Sequence, residues 1–302
     1  MTALTLAPPA KVNLYLAVHE RQPDGYHRLT TLFERLELAD TLVLRRQPSG
    51  ITLTCDDPAV PTDGRNLVVR AAASWAEASG IRGGVAAHLE KRIPVAGGLG
   101  GGSSDAASTL LGLNTLYDQS LTQGQLVTLG RQLGADVPFF LSEAVLAWGR
   151  GRGDEIEPLA PPSRPLWHVL VNPGEPLLTK TVYETFDRLP LTPPLPDATL
   201  LLRLVQTGEA ARVAPALANA LEPAIESNYP AIRHVQHALT TAGALGVIVS
   251  GSGPTTFGLA ADEAQARAIA VRLQQQQPAW RVLVTRTALV SRSTAAPVRG
   301  DA

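Results

Sequence analysis

The sequence predicts an α+β protein in two domains, and three observations lead there. Strand-like stretches fill the first 55 residues. A strand, a glycine loop and a helix follow one another between Val85 and Tyr117, and the chain closes with a strand, a helix and a strand after residue 244. At 302 residues, 45% hydrophobic and 18% charged, the chain is globular and long enough for two cores.

Taken in order, residues 3–18 read as a strand, a Pro8-Pro9 interruption and a second strand. In it Val12, Leu14 and Leu16 alternate with Asn13 and Tyr15, and Lys11 and Asn13 share one face. Pro23-Asp24-Gly25 is a turn from which Tyr26, His27 and Arg28 emerge. Leu29, Leu32, Leu36 and Leu38 then give mixed periodicity into a strand near Asp40 to Arg45. Residues 51–57 form a short strand, 66–79 a helix capped by Asn66, and 85–95 a strand in which Lys91 reads as a surface charge.

That strand delivers the chain to the loop around which the reading turns. Five of the six residues from Gly97 to Gly102 are glycine, and Ser103, Ser104 and Asp105 are N-cap types. The following helix places Ala107, Leu110, Leu111, Asn114 and Tyr117 on one buried face. Glycines admit close approach of backbone to ligand, and the first amides of a helix lack internal partners at the positive end of its dipole. Together they make an anion site, most often for phosphate. Neither common nucleotide motif fits, because no lysine lies between Lys91 and Lys180 and position 103 is Ser. A cation for phosphate must come from elsewhere in the chain, and only three lysines exist: Lys11, Lys91 and Lys180.

Beyond the loop, a helix from Thr122 to Leu133 ends at Gly134, with Asp136 just past it; alone, an Asp before Val-Pro reads as a turn former. Residues 144–159 read as two short strands around a solvated turn holding Arg150, Arg152, Asp154 and Glu155. The composition shift at 160–165 sets the expected boundary between domains 1–159 and 160–290, and residues 291–302 are expected to be a disordered tail. In the second domain residues 167–173 are a strand, 176–189 begin a helix, and 189–197 form a proline-rich loop. Residues 198–208 and 210–241 are mostly helical, and His234 and His237 lie on a surface helix. A strand, the loop Ser250 to Thr255 and a second strand follow. The helix Asp262 to Gln274 and the strand Trp280 to Leu289 complete a ferredoxin-type finish.

Bulk properties narrow the classes. A net charge of −1 leaves no basic excess for nucleic acid. Cys55 is the only cysteine, so neither a disulfide nor a cysteine-built metal site can form within the chain. Without a basic, apolar leader or an 18-residue apolar run, a soluble cytoplasmic protein with no membrane partner is expected.

The motif PVAGGLGGGSSDAA at residues 94–107 resembles the second motif of the GHMP kinases, the superfamily of galactokinase, homoserine, mevalonate and phosphomevalonate kinases. PAKVNLYL at 9–16 resembles the first motif and VIVSGSGPTT at 247–256 the third. The extra glycine of the loop, DGYHRLTTLF at 24–33 and GADVPFF at 134–140 are similar to one branch, which acts on a cytidine diphosphate ester of methylerythritol.

The resemblance implies a two-domain GHMP kinase fold, with an N-terminal ATP-binding domain of the ribosomal-protein-S5-like type and a C-terminal ferredoxin-like substrate domain. It implies ATP-dependent phosphorylation of the 2-hydroxyl of CDP-methylerythritol in the non-mevalonate isoprenoid pathway, with ATP and Mg2+ as cofactors. Asp136 is then the base and Lys11 the cation at the transferred phosphate. Pro94, Val95, Ala96, Gly97, Gly98, Leu99, Gly100, Gly101, Gly102, Ser103 and Ser104 bind ATP, and Ser104 is a candidate metal ligand. Asn13, Tyr26, His27 and Tyr183 hold the substrate, with Tyr26 stacking on cytosine, His27 hydrogen-bonding it, and Phe186 the alternative to Tyr183. Asn219-Ala220-Leu221-Glu222 departs from the family pattern, with Ala220 at a usually acidic position, which argues against a metal or catalytic role there. A monomer or weak homodimer is expected. A GHMP kinase of homoserine or mevalonate type and a non-catalytic nucleotide sensor remain as alternatives; the first has no use for Tyr26 and His27, the second none for Asp136.

Overall fold

The computed structural model describes residues 2–23, 25–190 and 194–288. Asp24, part of the proline-rich loop, the end of the last expected strand and the expected tail 291–302 therefore lie outside the described residues. Pro8 and Pro9 separate β1 (Ala3–Leu6) from β2 (Pro9–Arg21), and the two strands enter different sheets. Where mixed periodicity pointed to one strand near 40–45, the chain forms two, β3 (His27–Ala39) and β4 (Thr41–Gln47), hinged at Asp40. β2 is buried at nine consecutive residues from Pro9. Its expected alternation disappears because both faces are covered, as happens in strands with no solvent side.

Strands β5 (Ile51–Cys55) and β6 (Gly84–Glu90) pair in parallel and complete a four-stranded sheet of order β1-β4-β6-β5. Between them runs α1 (Leu67–Ser79), capped as expected by the Asn66 side chain accepting from the Val68 amide, and closed by Gly80 at φ 68°. The loop helix, α2 (Gly101–Leu116), has no single buried face: Ser104, Asp105, Ser108 and Thr109 are buried along with Ala107, Leu110 and Leu113, while Leu111 and Tyr117 are only partly so. Its small residues let neighbours approach from every side. At Gly112 a Cβ would stand 2.6 Å from both Leu6 and Leu44. Then come α3 (Gln123–Leu133), with a capping box from Thr122 and Gln125, the unexpected short α4 (Val137–Leu141), β7 (Leu146–Arg150) and β8 (Glu155–Leu159).

In the second half β9 (Trp167–Asn172) is central. Past α5 (Thr179–Phe186), α6 (Ala198–Thr207) and α7 (Ala210–Val213), the stretch expected to be helical is broken by β10 (Ala218–Asn219). This two-residue strand runs parallel to β2 and extends the first half's five-stranded sheet, β10-β2-β3-β7-β8. Helices α8 (Glu222–Asn228) and α9 (Ile232–Thr241) lead to β11 (Val247–Val249) and β12 (Thr256–Ala260), and α10 (Glu263–Gln276) to β13 (Arg281–Arg286). The sheet order β11-β12-β9-β13, antiparallel throughout, is the expected ferredoxin-type arrangement. The expected boundary segment 160–165 is largely exposed, yet the interiors of the two halves are continuous: Val12 and Leu14 pack in one cluster with Leu170, Val205 and Phe257. A buried polar contact joins the halves there, His168 Nε2 lying 3.1 Å from Glu34 Oε2.

The loop after β11 is tied to its surroundings by α8. Glu222 Oε1 accepts the Val249 amide at 3.0 Å and the Gln236 side-chain amide at 2.9 Å. Burial pushes the Glu222 carboxyl up to about 7. A carboxyl whose pKa is higher folded than unfolded binds an extra proton in the native state between the two values. Its support for folding is therefore full below the ordinary 4.5 and is lost as pH rises through about 7. Glu222→Gln keeps the accepting oxygen and removes the charge. Urea unfolding is expected to show the variant more stable than the parent by about 3 kcal/mol at pH 8 and nearly equal to it at low pH; equal stability at pH 8 would refute the assignment.

Candidate active site

The glycine loop enters α2 through Gly98 (φ 77°) and Gly100 (φ 70°), conformations open chiefly to glycine. Gly100 is the N-cap, so Ser103, Ser104 and Asp105 lie inside the first turns rather than capping them. The first helical bond is Ser104 N–H to Gly100 O, which leaves the amides of residues 101–103 without helical partners. Ser103 lines the adjoining cleft; Ser104 is fully buried with its hydroxyl unpartnered and does not line it.

Lys91, expected as a surface charge, is in fact buried beneath this turn. Its ammonium pairs with Asp40 and lies 2.9 Å from Asp105. Asp40 also accepts the Arg92 and Ile93 amides, so the trio pins the strand exit to the start of the helix. Burial, opposed by the Lys91 charge, pushes the Asp105 carboxyl up to about 7. No local signal foretold this, because Asp40 is 51 residues from Lys91 in the chain.

Facing the loop, β2 presents Lys11. Its own amide bonds Leu99 O at 3.0 Å, and its Nζ donates to Asn13 Oδ1 at 2.7 Å and lies 3.3 Å from Asp136 Oδ2. Asn13 Nδ2 donates to Thr31 Oγ1, which in turn donates to Tyr15 O. Each polar atom in this chain thus has a fixed role, and the side chain of Lys11 is 4% exposed. Asp136 heads α4, with Pro138 in its first turn. The far end of α4 is closed by buried Arg35, whose guanidinium donates to the carbonyls of Phe139, Phe140 and Ala144. Burial lowers the pKa of Arg35 to about 10, so it stays charged.

The loop Ser250 to Thr255 closes the other side. Ser250 Oγ donates to Gly98 O at 3.1 Å and the Thr255 amide to Gly97 O at 3.2 Å. Asn219 Nδ2 donates to Val249 O and Gly251 O, holding Gly251 beside Asn13 and Lys11. Asn219 is a positioning residue that the local sequence pattern did not reveal. A hydroxyl contact of 2.8 Å between Thr179 and Ser252 joins α5 to the same loop.

The cleft so enclosed, about 1050 Å³, extends from Gly98, Gly100 and Ser103 past Lys11, Asn13 and Asp136 to Tyr26, His27 and Tyr183. Tyr26 is 58% exposed at the mouth, with the Arg152 guanidinium 5.3 Å from its ring centre. His27 is stacked by Tyr183 at 5.6 Å and 26°, and met edge-on by Phe186 at 6.0 Å. Of the two aromatics expected from α5, Tyr183 lines the cleft. Burial and then the Asp136 charge raise its phenol pKa, which keeps it neutral. Pro94, Val95, Gly97, Leu99, Gly101 and Gly102 shape the loop but are not among the cleft-lining residues, whereas Ala96 is.

A glycine loop on a helix N-terminus, facing a paired lysine and aspartate, defines a small-molecule kinase of the GHMP class. The GHMP kinases N terminal domain matches residues 66–144 and the GHMP kinases C terminal domain residues 200–279. More narrowly, the chain belongs to the family of 4-diphosphocytidyl-2-C-methyl-D-erythritol kinases. It is 42% identical over 285 residues to the protein of that name from Pelotomaculum thermopropionicum, covering 94% of this chain and 98% of that one. It is 43% identical over 289 residues to that from Moorella thermoacetica, covering 95% and 100%. A crystal structure of 4-(cytidine 5'-diphospho)-2C-methyl-D-erythritol kinase superposes with TM-score 0.80 at 40% identity, covering 94% of this chain and all of that one. A homoserine kinase from Cytophaga hutchinsonii, at TM-score 0.71 and 19% identity over 98% of each chain, shares the fold.

The closeness of the two loops yields a test. A Cβ on Gly98 would stand 2.3 Å from Ser250 O, a backbone atom that cannot step aside. Gly98→Ala is expected to weaken nucleotide binding at least tenfold and lower the melting temperature. Unchanged affinity for an ATP analogue by calorimetry would show that the loop contact does not shape the phosphate site.

Proposed function

We propose that the protein phosphorylates the 2-hydroxyl of 4-diphosphocytidyl-2-C-methyl-D-erythritol with ATP, as the names of its relatives indicate for them, in the non-mevalonate route to isoprenoid precursors. The observation that carries this reading is the Lys11–Asp136 pair, 3.3 Å apart and opposite the helix N-terminus, in one cleft with the Tyr26, His27 and Tyr183 rings. The loop amides and the positive end of α2 bind the nucleotide phosphates. Lys11 holds the transferred phosphoryl group and compensates its charge. Asp136 accepts the proton of the attacking 2-hydroxyl. Positioning and electrostatics carry most of such a transfer, and the base contributes roughly 10²- to 10⁴-fold.

Among the described residues no cluster of three His, Cys, Asp or Glu side chains could hold a metal. That fits Mg2+ arriving on the ATP phosphates, where it neutralises charge, as this cation usually does. Ser103, the hydroxyl of the glycine loop that lines the cleft, is better placed than buried Ser104 to supply a protein oxygen. At the other end Tyr26 and Tyr183 enclose the cytosine and His27 reads its edge. All these groups come from one chain, so the reading needs no second subunit. No helix among the described residues is long and apolar enough to cross a membrane.

ADP release, coupled to a spectrophotometric assay, is expected with ATP, Mg2+ and the cytidine substrate but not with homoserine or mevalonate. Asp136→Asn should lower kcat by roughly 10²- to 10⁴-fold while ATP still binds. Turnover confined to another alcohol would overturn the substrate, and full activity of the variant would remove the base.

A further inference from the structure

Asp187, just past the C-terminal end of α5, belongs to none of the recognised motifs, yet its carboxylate sits at the base end of the cleft. Oδ1 lies 2.8 Å from His27 Nε2, and Oδ2 lies 3.6 Å from Arg21 Nη1. The His27 ring is otherwise held by Tyr183 on one face and the Phe186 edge, and its side chain is only 7% exposed. Two acceptor atoms cannot share a 2.8 Å contact, because their lone pairs would face each other. The proton of the ring therefore sits on Nε2. In the neutral imidazole this leaves Nδ1 unprotonated, an acceptor with no donor capacity. Arg21 faces the other oxygen of the same carboxylate.

We propose that Asp187 is a specificity-determining residue, which acts through His27 by holding it in the Nε2–H tautomer so that Nδ1 can only accept at the edge of the bound pyrimidine. The inference rests on the substrate reading above and deepens it. An obligate acceptor pairs with the exocyclic amine of cytosine and repels the corresponding carbonyl oxygen of uracil. The site then selects cytidine over uridine diphosphate esters not by shape, which the two bases share, but by the position of one proton. Asp187 touches neither the transferred phosphate nor the glycine loop, so its influence falls on binding of the base rather than on phosphoryl transfer. Asp187→Asn keeps the shape but offers an amide that can present either a donor or an acceptor to Nε2. The ring is then released to either tautomer, one of which donates to uracil.

Two measurements test this. Calorimetry with CDP and UDP is expected to show the parent protein preferring CDP by about 10- to 100-fold, the consequence of one buried polar group set against the wrong partner. In Asp187→Asn the preference should collapse to a few-fold, and the KM for the cytidine substrate should rise about tenfold with a smaller change in kcat. Asp187→Glu, which restores a carboxylate, should recover part of the preference. Nitrogen NMR at about pH 8.5, above the ordinary imidazole pKa of about 6.5, should show the Nε2–H tautomer of His27 in the parent and a mixture in Asp187→Asn. An Nδ1–H tautomer in the parent, or an unchanged CDP to UDP ratio in the asparagine variant, would overturn the role of Asp187. A parent protein that binds the two nucleotides equally would overturn the base selection and the substrate reading together.

Discussion

Burial of the Lys11 ammonium is the constraint on which the site depends. A charge removed from water costs several kcal/mol unless its protons are met by acceptors in good geometry. Asn13 accepts one of those protons and Asp136 sets an opposite charge 3.3 Å away, and each is itself held: Asn13 by Thr31 on the neighbouring strand, Asp136 by its place at the head of α4. Arg35 at the other end of α4 repeats the same physics, a buried cation compensated by three carbonyls. The geometry of the Lys11–Asp136 pair is therefore a by-product of charge compensation. No partner can move far without leaving a buried charge unsatisfied.

Close backbone approach is the second constraint. The glycine loop and the loop after β11 meet through Gly98 and Ser250 with no room for a side chain. Around this contact Asn219 and Glu222 hold one loop from behind, while Lys91, Asp40 and Asp105 hold the other. Because Thr179 also reaches Ser252, the helix carrying Tyr183 is tied to the loop that touches the glycine loop. The Tyr183 end and the glycine-loop end of the cleft thus share one set of supports.

The two halves of the chain are not separate bodies. β10 adds a strand from the second half to the sheet of the first, and His168 meets Glu34 in a buried polar contact across the junction. A cleft built between halves with one interior keeps its walls at a fixed spacing. That suits a reaction whose acceleration comes mainly from positioning.

Much of this was legible in the sequence wherever the signal is local. Capping by Asn66, the helix ending at Gly134, the glycine loop before α2 and the ferredoxin-type finish all follow from turn chemistry, propensity and short-range periodicity. Lys11 and Asn13 on one face follow from the two-residue period of a strand, and the motifs at 24–33 and 134–140 pointed to Tyr26, His27 and Asp136. Tertiary structure decided what depends on distant partners. Lys91 looked solvated because Asp40 lies far off in sequence; β2 and α2 lost their expected alternation and single buried face because neighbours cover most of their surface; and β10 is a strand only because β2 offers it an edge. Sequence sets the conformations a segment prefers and the chemistry it carries, whereas burial, and with it the pairing of every charge in this cleft, is fixed only when segments far apart in the chain come together.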